Sequence, residues 1–78
     1  MDVRFVTLAA PDLFKVLATA VDVAVRKKIE VSIGPFDDRL LIQNGVWLSG
    51  SDPEVSKLIG GMEEVLTKKR IQYVWSVE

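Results

Sequence analysis

The sequence predicts one small α/β domain with the element order strand, helix, strand, strand, helix, strand over residues 1–78. Three observations lead there. Two windows carry apolar residues at helical spacing, one opened by Pro11 and one by Asp52-Pro53. Around them lie segments rich in β-branched and aromatic residues, at 2–8, 29–33, 39–43 and 71–77. The halves also echo each other, because Arg26-Lys27-Lys28-Ile29-Glu30-Val31-Ser32 and Lys68-Lys69-Arg70-Ile71-Gln72-Tyr73-Val74 both set a basic triplet at a helix end before a strand.

Val3-Arg4-Phe5-Val6-Thr7-Leu8 is apolar on both alternating faces, which predicts a strand in mid-sheet covered on both sides. Pro11 opens the first helix, expected over 11–27, where its missing N–H is harmless. Leu13, Phe14, Leu17, Ala20, Val21 and Ala24 follow the i, i+3, i+4 stripe and are expected to face the core. Val16, Ala18, Val23 and Val25 widen the apolar surface, leaving Lys15, Thr19, Asp22 and Arg26 as the main contacts with water. Such a helix is expected to be covered on two sides, by the sheet and by a second subunit.

Ile29, Val31 and Ile33 alternate on one face of the next strand, which Gly34-Pro35 should end. Arg39-Leu40-Leu41-Ile42-Gln43 reads as a strand, and Asn44-Gly45 before Val46-Trp47-Leu48 resembles a tight hairpin. Ser51-Asp52-Pro53-Glu54 spells a capping box for the second helix, expected over 52–68, with Val55, Leu58, Ile59, Met62, Val65 and Leu66 on its face. Ile71, Tyr73, Trp75 and Val77 share a face of the closing strand. Phe5, Leu17, Val21, Val31, Ile33, Ile42, Leu58, Ile59, Met62, Val65, Tyr73 and Trp75 are expected to be largely buried. The favoured reading is α/β layers, with a ferredoxin-like α+β sandwich as the alternative that the same element order suits, depending on how the 29–33 strand lies beside its hairpin neighbour.

Composition narrows the function. The chain is 49% hydrophobic yet has neither Cys nor His, so no disulfide or zinc supports its small core, and a homo-oligomer is expected. No apolar run reaches the roughly 20 residues of a membrane span, and Met1-Asp2-Val3-Arg4 enters a strand-like segment directly, which points to a cytoplasmic protein without membrane contact. The net charge of −1 gives no general attraction for nucleic acid. The triplets Arg26, Lys27, Lys28 and Lys68, Lys69, Arg70 are the candidate anion- or RNA-binding residues, and would be neighbours if the strands they feed run parallel. Basic residues in a helix's last turn also complement its dipole, each worth about 0.3–1 kcal/mol.

Trp47, with Asn44 and Gly45, is expected at an exposed corner where it anchors an interface or walls a pocket, and Gly34-Pro35 lies in a loop where ligands bind in open α/β sheets. Asp37 and Asp38 offer two carboxylates to a hard cation, far short of the oxygens such an ion wants, and turn chemistry explains them without one. Gly60-Gly61 inside the second helix implies close packing there or a break in the helix. Without Cys or His the usual nucleophile–base pairs cannot form within one chain, so no catalytic residues, cofactor or metal are expected, and the reading is not an enzyme.

Ile29-Glu30-Val31-Ser32-Ile33-Gly34-Pro35, with the spacing onward to Lys68-Lys69-Arg70 and the strand Ile71 to Val77, resembles the DsrE family of sulfur-relay proteins over nearly the whole chain. An alternative alignment matches Leu40-Leu41-Ile42-Gln43-Asn44-Gly45-Val46 to the strand-to-loop segment of the related DsrH/TusB branch. The resemblance implies flavodoxin-like layers, assembly into oligomers and a role near sulfur transfer or tRNA thiolation. Relay members carry sulfur on a cysteine, often just after the strand matching Ile71 to Val77, and this chain has none. The expectation is therefore a non-catalytic, oligomer-forming partner subunit acting by protein contact through Trp47 and the first helix. The alternatives are an anion- or RNA-binding module using the triplets, and a small-ligand regulatory domain.

Overall fold

The computed structural model describes the backbone of residues 3–38 and 43–77, and the side chains of these except 37, 38, 43, 76 and 77. The elements are β1 (Val3–Ala9), α1 (Leu13–Lys27), β2 (Val31–Asp38), β3 (Gln43–Ser51), α2 (Asp52–Lys68) and β4 (Val74–Val77). The strands form one sheet in the order β2-β3-β1-β4, and every neighbouring pair is antiparallel. Both helices pack on one face of it. This is the ferredoxin-like sandwich, and it excludes the flavodoxin-like layers, which need a parallel sheet.

Strand periodicity sorts β1 between the two faces. Val6 and Leu8 point inward and are fully buried, as are Val46 and Leu48 opposite them on β3. Val16, Ala20 and Val23 of α1 and Leu58, Met62 and Leu66 of α2 close over these four. At about 25 cal/mol per Å² of apolar surface removed from water, this two-layer core is the main source of stability. The alternate residues Val3, Phe5 and Thr7 lie on the open face of the sheet, so β1 is central but covered on one side alone.

The stripe expected on α1 is turned away from its place. Its buried residues are Val16, Thr19, Ala20 and Val23, whereas Phe14 and Val21 are exposed. Thr19, expected in water, is buried and its hydroxyl donates to the Lys15 carbonyl at 2.8 Å. An apolar set running around most of a helix contains more than one i, i+3, i+4 stripe, and the packing selects one. Phe5 likewise stays partly exposed, while Leu58 and Met62 are fully buried as expected and Leu17, Val31, Ile33, Ile59, Val65, Tyr73 and Trp75 are partly buried against the core. Ile42 and the segment 39–42 lie outside the described residues.

β2 does not end at Gly34-Pro35 but runs on to Asp38. It is an edge strand, where proline's missing donor disturbs no ladder. Asn44-Gly45 is not a hairpin turn either, since both residues sit within β3, opposite Asp37 and Phe36. Gly45 is needed there because a side chain would run into the Leu8 carbonyl of β1.

Both helix ends follow one plan. Lys28 and Arg70 adopt left-handed backbone with φ of 54° and 55°. The Ile29 N–H donates to the Ala24 carbonyl at 2.9 Å, and the Ile71 N–H to the Leu66 carbonyl at 3.0 Å. These are Schellman caps, in which a residue past the helix turns back and tucks an apolar neighbour under the last turn. The repeated basic-triplet-then-isoleucine motif is thus a stop signal. At the other ends, the Asp12 carboxylate accepts from the Lys15 N–H at 3.1 Å, whereas Ser51 makes no side-chain cap bond and Glu54 accepts instead from the Glu30 N–H at 3.1 Å.

α2 is unbroken through Gly60-Gly61. A side chain at Gly61 would lie 2.6 Å from Val23 Cγ1 of α1, so this glycine lets the two helices touch, while Gly60 has open space around it. No described helix is long and apolar enough to cross a membrane.

Candidate functional site

The open sheet face brings together two of the residues singled out in the sequence. Gly34 on β2 lies opposite Trp47 on β3, and the indole ring rests where a side chain at 34 would stand. Phe5 of β1 lies beside it, with ring centroids 6.2 Å apart and planes inclined by 20°. Trp47 is therefore half-buried in the middle of a strand, and the expected exposed corner is not formed. Thr7, Ser32 and Ser49 surround the two rings, giving an uncharged aromatic floor among the described residues.

Asn44, Gly45 and Pro35 do not join that floor as one site. Asn44 lines a hollow of about 440 Å³ with Ala10, Pro11, Gln72, Tyr73 and Val74, beside the link from β1 to α1. Gly45 is buried under β1, and Pro35 is exposed on the edge strand.

The two basic triplets are separated. β2 runs antiparallel to β3, β3 to β1, and β1 to β4, so β2 and β4 run in opposite directions. Arg26, Lys27 and Lys28 therefore feed one end of the sheet, and Lys68, Lys69 and Arg70 the other. The condition on which they would be neighbours, parallel strands after the two triplets, is not met. Local partners occupy some of them, since Arg26 pairs with Asp22 at 2.9 Å and Lys68 with Glu64 at 3.4 Å. Among the described residues, no group of three or more Asp or Glu comes together to hold a metal ion. The side chains of Asp37 and Asp38 lie outside the described residues.

Two further features stand out on the helical side. The first is the outer face of α1, where Phe14 is 78% exposed, Val21 46% and Val25 71%, with exposed Ala18 between them. These four lie on the side of the helix opposite Val16, Ala20 and Val23. A second apolar side was expected from a set too wide for one stripe, but Val16 and Val23 turn inward and Phe14 and Val21 take their place on it. The second is a trough of about 550 Å³ between α1 and the end of α2, lined by Lys15, Ala18, Asp22, Val65, Lys69 and Ile71. It continues into a recess of about 240 Å³ that shares Lys15, Lys69 and Ile71 and adds Asp12, Arg70 and Gln72. Only the folded chain brings these positions together.

No family model matches the chain, and no curated protein matches it. Among solved structures it is similar to a formyltetrahydrofolate deformylase from Burkholderia mallei, with 22% identity and a TM-score of 0.61. The likeness covers 99% of this chain and 28% of that enzyme, so the chain spans little more than a quarter of its length. At this identity the likeness concerns the fold alone.

Proposed function

We propose that this chain is a non-catalytic association module that pairs with a second copy of itself through α1. The observation that carries the reading is the apolar outer face of that helix, because large side chains such as Phe14 and Val25 gain about 1.5–3 kcal/mol each on full burial. The occupant follows from the spacing. Phe14, Ala18, Val21 and Val25 are separated by four, three and four residues, the repeat of a helix–helix seam. That spacing reads the same in both directions. An antiparallel copy related by a two-fold axis sets Phe14 against Val25 of the second copy and Ala18 against Val21, so one patch serves both partners.

Charge agrees with this arrangement. Lys15 and Asp22 lie seven residues apart on the same flank of the stripe, and the two-fold brings each flank against its own copy. Lys15 then meets Asp22 of the second copy twice. The pairs these residues make within the chain, Lys15 to Asp12 at 3.7 Å and Asp22 to Arg26 at 2.9 Å, are exposed and leave both heads near the seam. Exposed pairs of this kind fix register more than they add stability.

Val21→Glu tests the reading by light scattering over a dilution series. Wild type should sediment and scatter as a dimer whose melting temperature rises with protein concentration, and the variant as a monomer that still melts cooperatively but without that dependence. A wild-type monomer at all concentrations, or a variant that stays dimeric, would sink the proposal. The sulfur-relay expectation survives here in its oligomer-forming part alone, since the chain holds no cysteine to carry a persulfide.

A further inference from the structure

We propose that the trough between α1 and the end of α2 binds a small organic anion with an apolar body, its carboxylate at Lys69 and Arg70 and its tail along Val65 and Ile71. The site is built within one protomer and goes beyond the association reading. Its volume of about 550 Å³ lies in the usual range for small-molecule sites, roughly 300–1,000 Å³.

The polar groups of the trough are distributed unequally. Lys15, Lys69 and Arg70 converge on the recess at one end from the first turn of α1 and the stop of α2. Lys69 and Arg70 are like charges at one hollow and repel, and an anion between them removes that cost. Asp12 is the one carboxylate lining this recess; it caps α1 through the Lys15 N–H and its other oxygen lies 3.7 Å from the Lys15 ammonium, so Lys69 and Arg70 are the cations it leaves to a ligand. Lys69 and Arg70 form no ion pair with a described residue. Arg70 reaches the recess from a left-handed position where glycine would be the easier choice, so the chain keeps a cation there against a backbone cost.

Away from that end the polar groups are engaged. The Thr19 hydroxyl donates to the Lys15 carbonyl, and Asp22 pairs with Arg26. What remains is the apolar floor of Val65 and Ile71. A ligand matching both ends carries one negative head and a hydrocarbon body several atoms long. Inorganic phosphate would satisfy the cations and leave the floor empty, and a neutral alcohol would do the reverse.

The test is a titration of ¹⁵N-labelled protein with octanoate, followed by amide shifts, alongside octanol and inorganic phosphate. Running it also on Val21→Glu, which lacks the pairing stripe, makes the outcome independent of self-association. Saturable shifts at Val65 and residues 69–71 are expected in both proteins, with octanol and phosphate each about tenfold weaker or more. The double variant Lys69→Gln, Arg70→Gln should lose about tenfold in octanoate affinity and leave octanol unchanged. Octanol or phosphate binding as well as octanoate, shifts centred on Phe5 and Trp47, or no saturation would each overturn the assignment.

Discussion

α1 and α2 are of similar length, lie on the same face of the same sheet and end in the same cap, yet their outer surfaces differ. α2 shows water Ser56, Lys57, Glu63, Glu64 and Thr67, while α1 shows it Phe14, Ala18, Val21 and Val25. α2 obeys the ordinary rule of one apolar stripe and one polar back. α1 has two apolar sides, and its own chain covers one. The contrast locates the surface that the proposed pairing would use, because nothing in the needs of the fold separates the two helices.

The comparison can be broken most forcefully by cutting the inner and outer faces in parallel. Leu58→Ala removes a fully buried side chain from α2 and should cost about 2–5 kcal/mol in urea unfolding. Phe14→Ala should change the stability of the protomer by less than about 0.5 kcal/mol while weakening self-association. A similar loss of protomer stability from both would mean that the outer face of α1 is covered within the chain. The adjacent glycines of α2 sharpen the contrast at smaller amplitude. Gly61→Ala pushes a methyl group at Val23 and should destabilise by about 1–3 kcal/mol, less the helix-propensity gain. Gly60→Ala has free space and should stabilise by about 0.5–1 kcal/mol. Thermal melts of the two variants should move in opposite directions. The smallest effect concerns the shared cap. Lys28→Gly and Arg70→Gly each relieve a left-handed lysine or arginine, and each should stabilise by at most about 1 kcal/mol in the same melts.

α2 was legible in the sequence to the residue, at 52–68, because proline in its first turn, acids at its start, basic residues at its end and a polar back all agree. α1 was legible as a helix but not in its rotation. Val16 and Val23 are chemically indistinguishable from Val21 and Val25, and the sheet alone decides which pair is buried. Gly34-Pro35 and Asn44-Gly45 carry strong local turn chemistry, yet both lie within strands, one tolerated at an edge and the other required by the close approach of β1. Of the candidate residues, Gly34 and Trp47 do meet, for a reason no local rule contains: the glycine makes room for the ring one strand away. The trough was illegible because Lys15 and Lys69 are 54 positions apart (69 − 15) and meet through the antiparallel packing of the helices.

The echo between the halves invites cutting the chain in two, and the strand order forbids it. β1 lies between β3 and β4, so both of its neighbours come from the second half of the chain, and β2 touches the sheet through β3 alone. A fragment ending after β2 would hold two strands with no ladder between them. Synthesis on the ribosome must therefore run past β3 before any sheet can form. The amides of β1 and β3 should exchange with solvent together, at the rate of whole-chain unfolding.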